Sequence, residues 1–138
     1  MKKNLSNLLK ETGLKATRTR LAILDVFSEG CKPINAEYIF KKLKAEKTNI
    51  VTIYRTLMSF EAAGILSRVD LHKESAHYEL AGHHHHHIIC TDCGVVESFD
   101  QCDIGDLSQK TLHKSSKFSA IQQHSLEFFG VCKMCARG

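Results

Sequence analysis

The chain has 138 residues, 43% of them hydrophobic and 25% charged, with a formal net charge of +4. These fractions belong to a folded globular protein and exclude a disordered or low-complexity chain. With no apolar run of membrane-spanning length and no signal-peptide pattern, the expected location is the cytoplasm and no membrane partner is expected. In that reducing compartment the six cysteines read as ligands or free thiols before disulfides.

Charge divides along the chain. Met1–Gly64 carries twelve Lys and Arg against six Asp and Glu, a balance of +6, whereas His83–Gly138 carries five against six, a balance of −1. The basic half suits a polyanion and the other half holds most of the soft ligands. A nucleic-acid domain over residues 1–82 and a metal-binding domain over 83–138 are expected.

Lys3–Glu11 predicts a short amphipathic helix ended by Gly13. Thr17 is the expected N-cap of a second helix running to Gly30 through Leu21, Ile23, Leu24, Val26 and Phe27. After Pro33, Asn35 caps a third, Ala36 to about Glu46, expected to bury Ile39, Phe40 and Leu43. A fourth, Ile50–Ala63, closes on Gly64 as its C′ residue. Its predicted apolar stripe is Ile50, Ile53, Leu57 and Phe60, with Thr52, Arg55, Thr56 and Ser59 opposite. That polar face is either plain surface or a major-groove reader in which Arg55 grips guanine and Thr52 and Thr56 reach phosphates.

Ile65–Leu71 and His77–Leu80 predict a β-hairpin around Lys73-Glu74-Ser75. Helices followed by such a wing make a winged-helix arrangement. Beyond it, strands are expected at His84–Ile89, Val95–Phe99 and Phe118–Phe129, the last containing His124, with a helix near Ile104–His113.

The densest chemistry lies between His83 and Cys93, where five imidazoles precede a Cys-x-x-Cys pair. Cys90 and Cys93, with Cys132 and Cys135, make a four-sulfur set of the kind that holds structural zinc, against the alternatives of a redox dithiol or unrelated buried thiols. The long interval between the pairs means that the ion ties the end of the chain to its middle. If the histidine run is extended, His83, His85 and His87 face one side and His84 and His86 the other, so one strand can serve two metal sites. A purification tag is a poor account of an internal run that leads into cysteines without a linker, and a solvated metal-scavenging tract is the other alternative. A zinc-dependent enzyme lacks its His-Glu-x-x-His or deaminase-like signature here. A metal-storage protein leaves the Arg55 helix and the basic half without a purpose.

Gly13-Leu14-Lys15-Ala16-Thr17, Asn49 to Leu57 with its Thr-Ile-Tyr-Arg core, the histidine run with Cys90-Thr91-Asp92-Cys93-Gly94, and His124-Ser125-Leu126 before Cys132 together resemble the ferric uptake regulator family. The resemblance implies an α+β chain, an N-terminal winged-helix DNA-binding domain followed by a small α/β dimerisation domain. Such a chain is a homodimeric transcriptional repressor that binds a double-stranded DNA operator when loaded with metal. It gives Tyr54 and Arg55 the role of base readers, Lys15 a minor-groove contact, and the four cysteines structural Zn2+. It implies regulatory ligands at Glu79, His85 and His87, with Asp70 at the hinge, and a second site at His84, His86 and His124. The family's further ligands fall on Pro33 and Gly105, which cannot coordinate through a side chain. His72, His77 or Cys31 are substitutes for the first, and Asp103 or Asp106 for the second. Cys102 has no assigned role. With Pro33 in place of a ligand and Asp70 available, the expected regulatory ion is Zn2+, and the expected function control of zinc uptake. Fe2+ sensing is second and peroxide sensing third.

Overall fold

A computed structural model describes residues 4–30, 32–82, 86–100, 104–122 and 124–138. The expectations on Cys31, His83, His84, His85, Cys102 and Asp103 lie outside these residues. The chain divides into two compact units, Met1–Gly82 and His83–Gly138. Among the described residues no helix is long and apolar enough to cross a membrane.

The first unit is four helices and a hairpin: α1 (Leu5–Glu11), α2 (Arg18–Ser28), α3 (Ala36–Lys42), α4 (Ile50–Ala62), β1 (Leu66–Val69) and β2 (His77–Leu80). Each helix starts where a short polar side chain satisfies an orphan N–H. Asn4, Thr17, Asn35 and Asn49 accept from the N–H groups of Asn7, Arg20, Tyr38 and Thr52 at 3.4, 3.3, 2.9 and 2.9 Å. Gly64 takes φ +76° just beyond α4, the left-handed conformation that turns the chain into β1.

One apolar cluster joins these elements. Leu9, Ile23, Leu24, Ile39, Ile53 and Phe60 are all 0% exposed, with Leu57, Ile65, Leu66 and Tyr78 packed around them. β1 and β2 pair antiparallel from Leu66↔Leu80 to Val69↔His77. The segment before α3 joins them through Ile34, which exchanges backbone bonds of 2.9 and 2.8 Å with Tyr78. The result is a winged helix.

Two expectations for the third helix are corrected. The third helix stops at Lys42 rather than Glu46, because Leu43 turns into the core and Lys44–Glu46 tighten into a 3-10 turn that ends on Lys47 at φ 52°. Phe40 is exposed rather than buried; α3 points Ala36, Ile39 and Leu43 inward at helical spacing, and Phe40 falls one step round the wheel.

The second unit is a three-stranded sheet in the order β4-β3-β5, from β3 (His86–Cys90), β4 (Val96–Phe99) and β5 (Glu127–Gly130). β4 is antiparallel to β3 and β5 parallel to it. A parallel neighbour needs a crossover, supplied between β4 and β5 by the segment holding α5 (Gly105–Lys114). The long strand expected from Phe118 to Phe129 is corrected to Glu127–Gly130. Among the described residues β3 offers β5 only His87 to Cys90 as partners, and those from Phe118 to Leu126 join no sheet. A short helix without a sequence expectation, α6 (Lys133–Ala136), ends the chain.

Candidate metal centres and nucleic-acid interface

The sheet register brings the two cysteine pairs together. In the parallel β3–β5 pair Cys90 lies opposite Gly130, so both strands end at the same level and each runs directly into a Cys-x-x-Cys turn. Thr91 N–H donates to Gly130 O at 2.8 Å and fastens one turn to the other. Gly94, at φ +78°, closes the first turn, with its N–H donating to Cys90 O at 2.9 Å. In the second, Cys132 caps α6 through its sulfur, which accepts from Cys135 N–H at 3.4 Å.

The four Sγ atoms all lie within 4.8 Å of one another, and Cys93 Sγ is 3.8 Å from Cys132 Sγ. A tetrahedron with metal–sulfur bonds of about 2.3 Å has edges of roughly 3.8 Å, so the donor set fits zinc. Among the described residues no other group of three or more His, Cys, Asp or Glu side chains converges in this way. Backbone N–H groups of Cys93 and Cys132 hold the Cys90 thiol down to about 6, whereas the Cys132 and Cys93 side chains push Cys135 up to about 12. The cluster thus favours the thiolate at Cys90 and the thiol at Cys135, whose proton an incoming cation must displace.

The histidine run enters the same sheet. His86 and His87 are 7% and 1% exposed, so both sides of the strand are covered at its start. His86 Nδ1 lies 3.3 Å from Leu126 O, and its Nε2 is buried with no hydrogen-bond partner among the described residues. The His124 ring stands 5.7 Å from that of His86, centroid to centroid. An imidazole fixed by a carbonyl on one nitrogen, with the other buried and unused, has the tautomer and aim of a metal ligand. Gly105 opens α5 without a side-chain cap, and Asp106 in its first turn is exposed.

In the first unit, Asp70 is exposed and its Oδ1 accepts from His72 N–H at 2.8 Å, while Oδ2 lies 3.8 Å from His72 Nε2. Glu79 is half-buried on β2, opposite Ser67. Pro33 is buried, and of the described substitutes for it His77 shares its cavity. That hollow, about 320 Å³, is lined by Lys32, Pro33, Ile34, Asn35, Tyr38 and His77. His77 Nδ1 is 2.9 Å from Ser75 O, and burial pushes the imidazole below its ordinary value, keeping it neutral as coordination requires.

On α4, Val51, Thr52, Tyr54, Arg55 and Met58 face outward. Thr56 does not, and its expected place on the exposed face is corrected. It sits three residues after Ile53 on the inward stripe with Leu57 and Phe60, is 8% exposed, and returns its hydroxyl to Thr52 O at 2.8 Å. Tyr54 is 42% exposed. Lys15 is exposed just before α2, its carbonyl accepting from the Arg20 guanidinium at 3.0 Å. Sequence reasoning passed over Glu37, in the first turn of α3, whose carboxylate accepts a close hydrogen bond from the Tyr54 hydroxyl. That bond holds Glu37 below the usual carboxylate range and Tyr54 above the usual phenol range. A pairing 17 residues apart leaves no periodic signal in the sequence.

Comparison with known proteins converges. The sequence profile of the Ferric uptake regulator family matches residues 11–129. The ferric uptake regulation protein of Bordetella parapertussis is 40% identical over 134 residues, 94% of this chain and 95% of that protein. The crystal structure of the Vibrio cholerae ferric uptake regulator superposes with a TM-score of 0.77 at 35% identity, covering 94% of this chain and 100% of that one. The Francisella tularensis ferric uptake regulator, whose structure was determined with iron, gives 0.75 at 37% identity, covering 90% and 96%.

Proposed function

We propose a metal-gated operator-binding function on this premise: the chain belongs to the ferric uptake regulator family, and is a metal-responsive transcriptional regulator, not an enzyme. One observation carries the reading. In a basic winged-helix unit, α4 keeps Ile53, Thr56, Leu57 and Phe60 for the core and turns Thr52, Tyr54 and Arg55 outward, so a rigid helix presents a guanidinium fork and polar groups to a major groove. Lys15, exposed ahead of α2, adds a backbone or minor-groove contact.

The protein acts as a homodimeric repressor, assembled through the second unit. Ile88 and its register partner Phe128, with Val131 and Met134 further along the chain, are 41, 50, 57 and 78% exposed there, and exposed apolar side chains of this kind are what association covers. Cys90, Cys93, Cys132 and Cys135 hold a structural Zn2+ that locks the ends of β3 and β5 together. Regulation belongs to Glu79, His85 and His87 with Asp70, and His77 fills the role of the ligand missing at Pro33, since it lines the same hollow with a fixed, neutral ring. His86 and His124, with His84, form the second site.

Fe2+ is the regulatory ion on this reading, because the relatives carry the ferric uptake name and the Francisella protein was seen with iron. Zn2+ is the second reading, favoured by the ligand change at Pro33 and the available Asp70 carboxylate. Histidine–carboxylate sites bind zinc more tightly than iron(II) whatever their role, so supply rather than raw affinity decides the ion in the cell. Operator binding measured across buffered free Fe2+, Zn2+ and Mn2+ tests the reading. Half-saturation by iron in its cellular range is expected; metal-independent binding overturns it.

A further inference from the structure

The Tyr54 hydroxyl is committed before any DNA arrives. It donates to Glu37 Oε1, which reaches across from the first turn of α3, and both side chains lie on the exposed side of their helices. Tyr54 is exposed on α4 with Thr52 and Arg55 and, at helical spacing, stands at the edge of that face, so whatever fixes its ring fixes that edge. An exposed tyrosine without a tether loses rotamer freedom on binding; one held by a charge-assisted bond has lost it already.

The bond also sets polarity. A phenol carries one O–H donor, and here the donor is spent on the carboxylate, leaving only oxygen lone pairs to offer outward. In a major groove the partners for an acceptor are the amino groups of adenine N6 and cytosine N4, whereas guanine and the thymine carbonyl offer acceptors of their own. Glu37 adds a negative charge beside the face, which repels phosphates of any sequence.

We propose that Glu37 is the positioning residue for sequence readout by α4: it holds Tyr54 in one orientation with its oxygen as acceptor only, so that Tyr54 selects amino-bearing bases. This rests on the reading of α4 as the helix that meets DNA. Glu37 itself contacts no base; it acts through Tyr54.

The test uses the full chain loaded with the ion that supports binding. The probes are a duplex selected by the wild-type protein from a randomised pool and a scrambled duplex of the same composition. Glu37→Ala and Glu37→Gln both remove the charge, but only Gln keeps an acceptor for the tyrosine hydroxyl. Both variants are expected to bind the scrambled duplex more tightly. Glu37→Ala should lower the ratio of selected to scrambled affinity about tenfold, the order of one hydrogen-bonded base contact, and Glu37→Gln should restore most of it. In a Tyr54→Phe background Glu37→Ala should leave the ratio unchanged, because the donor it governs is gone. Thermal midpoints confirm that each variant folds. A ratio that survives Glu37→Ala, or falls equally in the Tyr54→Phe background, overturns the proposal. If Arg55→Ala and Tyr54→Phe also leave selected-duplex binding intact, the reading of α4 falls with it; if they weaken binding while Glu37→Ala spares the ratio, only the role of Glu37 falls.

Discussion

Cys93 Sγ and Cys132 Sγ stand 3.8 Å apart although 39 residues separate them in the chain. The sheet does most of this work: β5 runs parallel to β3, both strands end together, and Thr91 N–H locks to Gly130 O. Cys132→Ser should therefore release the tightly held zinc and unfold or loosen the second unit, because ion binding and local folding share one free energy. Metal content and sedimentation of the purified variant check this. A variant with full zinc and an unchanged association state removes the four-sulfur assignment. Zinc affinity of the wild type should also weaken as pH falls, since protons compete for Cys90 and Cys135 must lose its own to bind.

Arg55 and Thr56 are neighbours on α4 with opposite destinations, which separates readout from packing. Arg55→Ala should reduce specific binding by about 1–3 kcal/mol and relax preference at one base position without changing stability. Thr56→Ala should do the reverse. Its side chain is 8% exposed against the core, so its loss is expected to cost roughly 1 kcal/mol of folding stability, with DNA preference unchanged. Denaturant midpoints and base-substituted duplexes measure the two effects independently. Loss of base preference in Thr56→Ala would return that residue to the interface.

Thr56 also marks how far the sequence is legible. Helices and caps were readable because each rests on local chemistry: Thr17, Asn35 and Asn49 close their first turns within three residues. The cysteine pairs were readable because thiolate pairs at that spacing have few other uses. Thr56 was misplaced because its polarity outweighed its wheel position, although the i−4 bond to Thr52 O satisfies the hydroxyl inside the helix. Phe40 failed in the opposite sense, an apolar residue that the wheel leaves outside. The strand before Glu127 failed because, among the described residues, its alternation had no partner beyond His87 on β3, a fact of pairing that only the sheet reveals. Glu37 and Tyr54, like His86 and Leu126, meet through tertiary structure and have no local signature.

His77 supplies a pH dependence whose sign follows from burial. Its folded value lies below the ordinary 6.5, with desolvation the largest cause, offset in part by the Ser75 carbonyl. The unfolded chain therefore binds the proton more readily. The stabilisation is complete above about pH 6.5 and is lost as pH falls from there through the folded value. Urea midpoints should drop over that window in the wild type and drop less in His77→Gln. Parallel curves for the two proteins would show that His77 carries none of the effect.

The final prediction compares adjacent histidines on one strand. His86 and His87 are both buried and point to opposite faces of β3, so equal chemistry meets different surroundings. His87→Ala, His85→Ala and Glu79→Ala should abolish metal-dependent operator binding while the four-cysteine zinc stays in place. His86→Ala and His124→Ala should shift the free-metal midpoint by less. Because their rings stand 5.7 Å apart, the double variant should also shift it no further than either single one. A paired loss of that kind identifies a shared ion rather than two independent packing defects, since packing defects on separate segments add. Titration of free Fe2+ and Zn2+ against operator binding resolves the cases. Equal shifts for His86→Ala and His87→Ala would reduce the run to a nonspecific reservoir, and loss of binding in His86→Ala alone would move the sensor to the face shared with His124.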